Sequence, residues 1–200
     1  MEPIEELLGM AEAAHGHLCA GQILGVRMAM LGCRRLGIDE PRGRDRKRLV
    51  TFVEIDRCAT DAIGVVTGCR LGKRALKFRD WGKMAATFID LAAQDLTQVR
   101  AIRIAARDSS KELARALHPE IEIKNLQQML AYRELSEPEL FTEEWVRVTL
   151  PPEEFPGYKG ERVACAMCGE GINYDRFIER DSRHLCYACA NPEERYYQPL

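Results

Sequence analysis

Eight cysteines and four histidines carry most of the metal and redox chemistry open to this chain of 200 residues. Half of the cysteines lie in two pairs near the C-terminus, Cys165-Ala166-Met167-Cys168-Gly169 and Cys186-Tyr187-Ala188-Cys189, with seventeen residues between the inner members. Two residues between paired cysteines let a tight turn aim both sulfurs at one ion, and two such pairs at this spacing form a tetrahedral four-thiolate zinc site. Gly169 can take the positive φ that turns backbone N–H groups toward the thiolates. The second pair has no such glycine and reads as a helix start, where the dipole favours thiolates. Knuckle, hairpin and helix start together describe a treble-clef zinc finger over residues 161–200. Two disulfides, or an iron site of the rubredoxin kind, compete for the same pattern. His184 is near enough to replace a thiol, but four cysteines already complete the tetrahedron. A tail this short has little core of its own, so its metal supplies much of its folding free energy.

The second group is His15-Gly16-His17-Leu18-Cys19-Ala20-Gly21, two imidazoles and a thiol between two glycines. A thiol at a helix start has a lowered pKa, and histidine is the commonest metal ligand. Downstream, Glu54-Ile55-Asp56-Arg57-Cys58-Ala59-Thr60-Asp61-Ala62 sets a thiol and carboxylates at a strand exit, where a rigid sheet can fix a functional loop, and Thr67-Gly68-Cys69 follows. His17, Cys19 and Cys58 are therefore expected to converge on one core metal or reactive centre, with His15, Asp61 and Cys69 around it. His17, Cys19, Cys58 and Asp61 are the candidate catalytic residues, with Asp61 orienting a histidine ring. The competing reading is a buried polar cluster without metal. Lys73 and Lys83, each preceded by a glycine, are the better candidates to hold an anionic ligand among basic residues that otherwise read as solvated faces. Cys33 reads as a buried free cysteine inside a helix, and His118 as structural or exposed.

These residues need elements to hold them. Apolar residues at helical spacing predict a helix from Pro3 to Ala14, ending near His15-Gly16, and a second helix from just after Cys19 that Gly37 closes. A basic loop over residues 41–48 leads to a strand at Leu49–Glu54, and a short helix runs from Ala59 to Thr67 with Gly68 as its stop. Strands at Ala75–Phe78, Ala85–Asp90 and Val99–Ala105 join the first in an antiparallel sheet of at least four strands. Ser109 or Ser110 caps a helix to Leu117, Leu126–Leu135 continues in helical period, and Trp145–Leu150 is the last core strand. The prolines and glycine of residues 151–160 form a stiff linker. The expected fold is α+β, with a flanked antiparallel sheet over residues 1–150, the linker at 151–160 and a small treble-clef zinc domain at 161–200.

With 46% hydrophobic and 30% charged residues and a formal net charge of −2, the chain has a globular composition and lacks the bulk positive charge of a protein devoted to nucleic acid. The tail is also near charge balance, which ranks it as a protein-contact or dimer-locking module ahead of a nucleic-acid reader. An acidic start and the absence of an apolar run of about 20 residues lead to the expectation of a cytoplasmic protein without a membrane span. In that compartment cysteines serve as metal ligands or reactive thiols rather than disulfides.

The motifs HGHxCxG at His15–Gly21, GVRMA at Gly25–Ala29, ExxxCxxDAI at Glu54–Ile63, TGC at Thr67–Cys69 and DWGKMA at Asp80–Ala85 together resemble the FmdE family, which takes its name from formylmethanofuran dehydrogenase. The resemblance covers about the first two-thirds of the chain, and several motifs in fixed order make it specific. It implies an α+β core, an intertwined homodimer and, as in some members, a C-terminal treble-clef zinc finger. The chain departs from the family pattern at Ala20, where proline is usual, and at Arg70, where a hydroxyl residue is usual. Two functions are open. One is a metal-dependent core site, with structural zinc in the tail and a second ion of unspecified identity in the core, acting in or accessory to one-carbon or formylmethanofuran-type redox metabolism. The other is a regulatory or metal-sensing protein whose finger contacts a protein or nucleic acid.

Overall fold

Acidic residues in the first turn of helix α1 (Ile4–His15) face the positive end of its dipole, and Gly16, at φ 96°, closes it in the left-handed conformation that lets the chain turn at once. The chain re-enters helix at α2 (Ala20–Arg35), whose cap is Cys19. Cys19 thus stands at a helix start because the junction between the two helices is so short. The computed structural model describes residues 1–92 and 99–198. The chain divides into two compact units, Met1–Leu150 and Pro151–Leu200.

In the first unit α2 is the central element. Eleven of its sixteen residues are buried, because it packs on α1, on α3 (Cys58–Thr67), on α5 (Lys124–Glu134) and on strands β3 (Ala85–Asp90) and β4 (Val99–Ala106). A helix covered on several sides needs its polar groups satisfied internally. Gln22 donates to the Ala11 carbonyl at 3.2 Å, and Arg27 donates to the carbonyls of Tyr132 and Leu135 at 2.7 and 2.6 Å, closing the end of α5. Where α2 crosses α3, Gly21 and Gly25 face Cys58, Ala59 and Ala62, so the two backbones approach closely.

The sheet has five strands in the order β2-β1-β3-β4-β5, with β1 at Leu49–Val53, β2 at Leu76–Phe78 and β5 at Phe141–Val148. The α+β class holds, but the sheet is mixed. β2 pairs with β1 in parallel, Thr51 opposite Leu76 and Val53 opposite Phe78, while the other neighbours are antiparallel. The chain leaves β1, runs through α3 and returns beside β1, and such a crossover brings a strand back in the same direction. The last strand begins at Phe141, ahead of the expected Trp145. Its alternating polar residues lie on the sheet edge, where one side remains wet. Ahead of it Ser136-Glu137-Pro138-Glu139 makes a capping box for the short helix α6 (Glu137–Leu140), a helix not expected from the apolar periodicity.

Two further details reassign sequence features. Glu54, at the exit of β1, is buried and accepts two bonds from Arg103 of β4, from Nε at 2.7 Å and Nη2 at 2.6 Å. Its carboxylate clamps the sheet rather than serving the cluster. Ser109 is the cap residue of α4 (Ser110–Leu117), but Ser110 Oγ turns back to the Arg107 carbonyl at 2.6 Å.

The second unit holds two hairpins, β6 (Arg162–Ala164) with β7 (Gly171–Asn173) and β8 (Ile178–Arg180) with β9 (Arg183–Leu185), followed by the one-turn helix α7 (Tyr187–Ala190). Its buried cluster is Cys165, Ile172, Leu185, Cys189 and Ala190, too small a core for a domain of this size to rely on. Among the described residues no helix is long and apolar enough to cross a membrane.

Candidate metal centres

In the tail the β6–β7 hairpin carries the Cys165-to-Cys168 knuckle at its tip. Cys165 donates its N–H to the Glu170 carbonyl at 2.8 Å, Gly169 donates to the Cys165 carbonyl at 2.9 Å, and Gly169 sits at φ 77° as its place after the pair requires. The second hairpin delivers Cys186 as the cap of α7, with Cys189 inside that turn. The sulfurs of Cys165, Cys168, Cys186 and Cys189 all lie within 4.8 Å of one another, and Cys168 and Cys186 are 4.0 Å apart. A tetrahedron with metal–sulfur bonds of about 2.3 Å has an edge of about 3.8 Å, so four thiolates at this spacing fit one ion.

Polar groups surround the sulfurs. The Cys186 N–H donates to Cys165 Sγ at 3.3 Å, and Arg195 reaches Cys189 Sγ at 3.4 Å while its Nε donates to the Ala188 carbonyl. Backbone N–H groups, those of Cys168 and Cys186 above all, lower the Cys165 thiol to about 6, whereas hydrogen bonding with Cys186, with burial next, pushes Cys189 up. Four thiols packed this closely oppose one another's ionisation, which a bound cation relieves. His184 stacks on Phe177 at 4.0 Å and stays out of the sulfur group.

The core cluster is built from the α1–α2 junction and the start of α3. The ligating atoms of His15, His17 and Cys19 come within 4.8 Å of one another, and the two imidazoles lie 4.9 Å apart, centre to centre. His15 Nδ1 bonds to Asp61 Oδ2 of α3 at 2.8 Å. That bond leaves Nε2 to ligate, the usual carboxylate–histidine–metal relation. Asp61 therefore orients a histidine as expected, and the histidine is His15. Cys58 stands next to Cys19: a Cβ on Gly21 would lie 3.3 Å from Cys58 Cβ and 3.8 Å from Cys19 Sγ. Burial and the Cys19 thiol push the Cys58 thiol up. Two nitrogens and two sulfurs so arranged suit a borderline or soft divalent ion such as zinc.

Three sequence candidates fall elsewhere. Cys69 follows α3 at the end opposite Cys58, about 15 Å away at the helical rise, and is buried against Thr51 Oγ1 at 3.6 Å and the Leu49 carbonyl at 3.5 Å. It belongs to the apolar core, and burial raises its thiol. Lys73 stands in the turn before β2, and Lys83 lies beside the Trp81 ring at 5.9 Å; neither lines the cavity that opens beside the cluster. Cys33 is fully buried as expected, its thiol pushed up to about 12 by burial.

That cavity, of about 510 Å³, has His17, Cys19 and Cys58 on its wall together with Arg57, Arg107 and Lys111, which sequence reading did not single out. The available signal was a strand-to-helix exit at Ala106–Ser110 like the one at Cys58. β1 and β4 are each antiparallel to β3 and so run the same way, which brings both exits to one end of the sheet.

Comparison with known proteins agrees with this layout. A family model described as "FmdE, Molybdenum formylmethanofuran dehydrogenase operon" matches residues 14–150. A "Probable S-adenosyl-L-methionine-binding protein" of Archaeoglobus fulgidus is 31% identical over 94% of this chain, and the chain spans about half (53%) of that relative's length. The crystal structure of an FmdE-like protein of the tungsten formylmethanofuran dehydrogenase type, from Syntrophus aciditrophicus, superposes with a TM-score of 0.61 at 21% identity, over 96% of this chain and 94% of that one. At that identity the likeness is one of fold.

Proposed function

The chain belongs to the FmdE family, and from that premise we propose that its core unit is a metal-dependent site and its tail a structural zinc module. His15, His17, Cys19 and Cys58 would hold the core ion and Asp61 would fix the His15 ring. When bound, a divalent ion there supplies Lewis-acid or redox capacity at an accessible position. The observation that carries this reading is the placement of His17, Cys19 and Cys58 on the wall of a cavity. A purely structural site is closed, whereas a working one keeps a side open to ligand. The chain's own contribution is positional: Gly16 ends α1 so that His15 and His17 share one junction, and Gly21 lets α3 bring Cys58 to Cys19.

In this reading the protein serves the one-carbon or redox chemistry after which the family is named, directly or as an accessory, and acts as a homodimer. Elemental analysis tests the site: zinc-loaded wild type holds two ions per chain, Cys168→Ser holds one, and a His17→Ala/Cys19→Ser variant holds one. A Cys168→Ser protein with no metal removes the core site, and a monomer mass by light scattering removes the dimer.

A second reading is favoured by the A. fulgidus relative and the size of the cavity, since organic-ligand sites span about 300–1,000 Å³: the core binds S-adenosyl-L-methionine. Titration of metal-free protein separates the two, because the second reading requires binding without the ion.

A further inference from the structure

Four helices begin on the core cavity: α2 at Ala20, α3 at Cys58, α4 at Ser110 and α5 at Lys124, whose neighbour Asn125 lines the wall. In none does the cap residue's side chain close the first turn. The Ala20 N–H is taken by Asn125 Oδ1 at 3.2 Å. Helix starts concentrate free N–H groups and the positive ends of dipoles. Four of them around one space set a positive potential there.

Side chains add to it. Arg57, Arg107 and Lys111 line the cavity against one acid, Asp108, which bonds Lys111 at 2.6 Å. Arg57 makes no ion pair with an acid among the described residues. Arg107 donates Nε to the Phe141 carbonyl at 3.0 Å, which fixes its guanidinium and leaves the outer edge of the fork for a ligand. The wall between these cations and the His17/Cys19 side is apolar, formed by Leu24, Met84 and Ala106.

From this arrangement we infer that the cavity binds a small organic anion, with its carboxylate on the Arg57, Arg107 and Lys111 side and its carbon skeleton on the apolar wall. An arginine fork matches a carboxylate in two parallel bonds. A bare inorganic ion leaves the apolar wall and most of the 510 Å³ uncovered. A neutral molecule gains nothing from the converging positive charge. The inference deepens the metal-site reading by naming the ligand class of the same cavity, but the cations that recognise the anion are not the metal ligands.

Calorimetric titration of the full-length, zinc-loaded protein with succinate, benzoate, neutral succinamide and inorganic phosphate tests it. At least one of the two carboxylates binds, succinamide and phosphate bind at least about tenfold more weakly, and affinity falls with added salt. Arg57→Gln and Lys111→Gln each weaken carboxylate binding by about tenfold or more while metal content stays at the wild-type level. Both side chains are exposed, so the variants fold. Binding of succinamide equal to succinate, phosphate binding as tight as either carboxylate, unchanged affinity in both variants, or no carboxylate binding at millimolar concentration overturns the inference. Failure of the metal reading gives a different pattern: one ion per chain in wild type, with carboxylate binding and its loss in Arg57→Gln intact.

Discussion

Replacing Gly25 by alanine perturbs the crossing that places Cys58 beside Cys19. A Cβ at position 25 would stand 2.5 Å from the Ala59 carbonyl oxygen, 2.7 Å from Ala59 Cα and 2.8 Å from Ala62 Cβ. Two of these are backbone atoms at the start of α3, so relief requires the helix to move. Overpacking of this kind costs about 1–3 kcal/mol, and backbone contact sets it toward the upper end. Alanine's better helix propensity returns about 1 kcal/mol, leaving a net loss of about 1–2 kcal/mol, or roughly 2–8 °C in Tm for a domain of this size. Gly9 is the control: it lies in α1 with nothing within 4 Å of an added Cβ, so Gly9→Ala raises stability by about 0.5–1 kcal/mol. Thermal and urea unfolding of the metal-loaded full chain, followed by far-ultraviolet circular dichroism, compares the two, and zinc content reports the displacement of Cys58. A Gly25→Ala protein as stable as wild type, or as well metallated in the core, would show that the close approach of α2 and α3 does not hold the site.

Three further outcomes are expected. Cys168→Ser or Cys189→Ser releases the tail ion and unfolds that unit while leaving most helix and sheet signal, as metal analysis with circular dichroism would show; unchanged metal content refutes it. Glu54→Gln breaks the paired bond to Arg103 inside the sheet and lowers stability by about 2–4 kcal/mol in urea titration, below the range for a fully buried pair because Arg103 is partly exposed. Asp45 accepts the Glu40 N–H at 3.1 Å and a bond from Arg48 at 3.0 Å, and these hold its carboxyl below the usual carboxylate range. A carboxyl so lowered contributes stability that is fully present above its unfolded value and is lost as pH falls through the folded one. Asp45→Asn therefore lowers stability at pH 7 and flattens the loss of stability on acidification below about pH 5, and a variant with the wild-type acid slope would show that Asp45 carries none of it.

Local chemistry made much of this molecule legible without a structure. Glycines at 16 and 68 take positive φ at helix ends, because few other residues reach that conformation without strain. The four-cysteine tail is specified by spacing along the chain, since knuckle and helix start are each local. The His15, His17 and Cys19 grouping is local too, held by the short junction between α1 and α2. Pairings over longer separations were not legible. β2 and β1 run parallel, Glu54 turns to Arg103, and Cys69 faces the core instead of the cluster, because each depends on which surface a strand or helix end meets. Asp61 shows both sides: its type and position marked it as an orienting carboxylate, while the packing of α1 on α3 chose His15 as its partner. The cavity belongs wholly to the tertiary structure. Its cations come from two strand exits some fifty residues apart in the chain, and only the direction each strand takes relative to β3 brings them to the same end of the sheet.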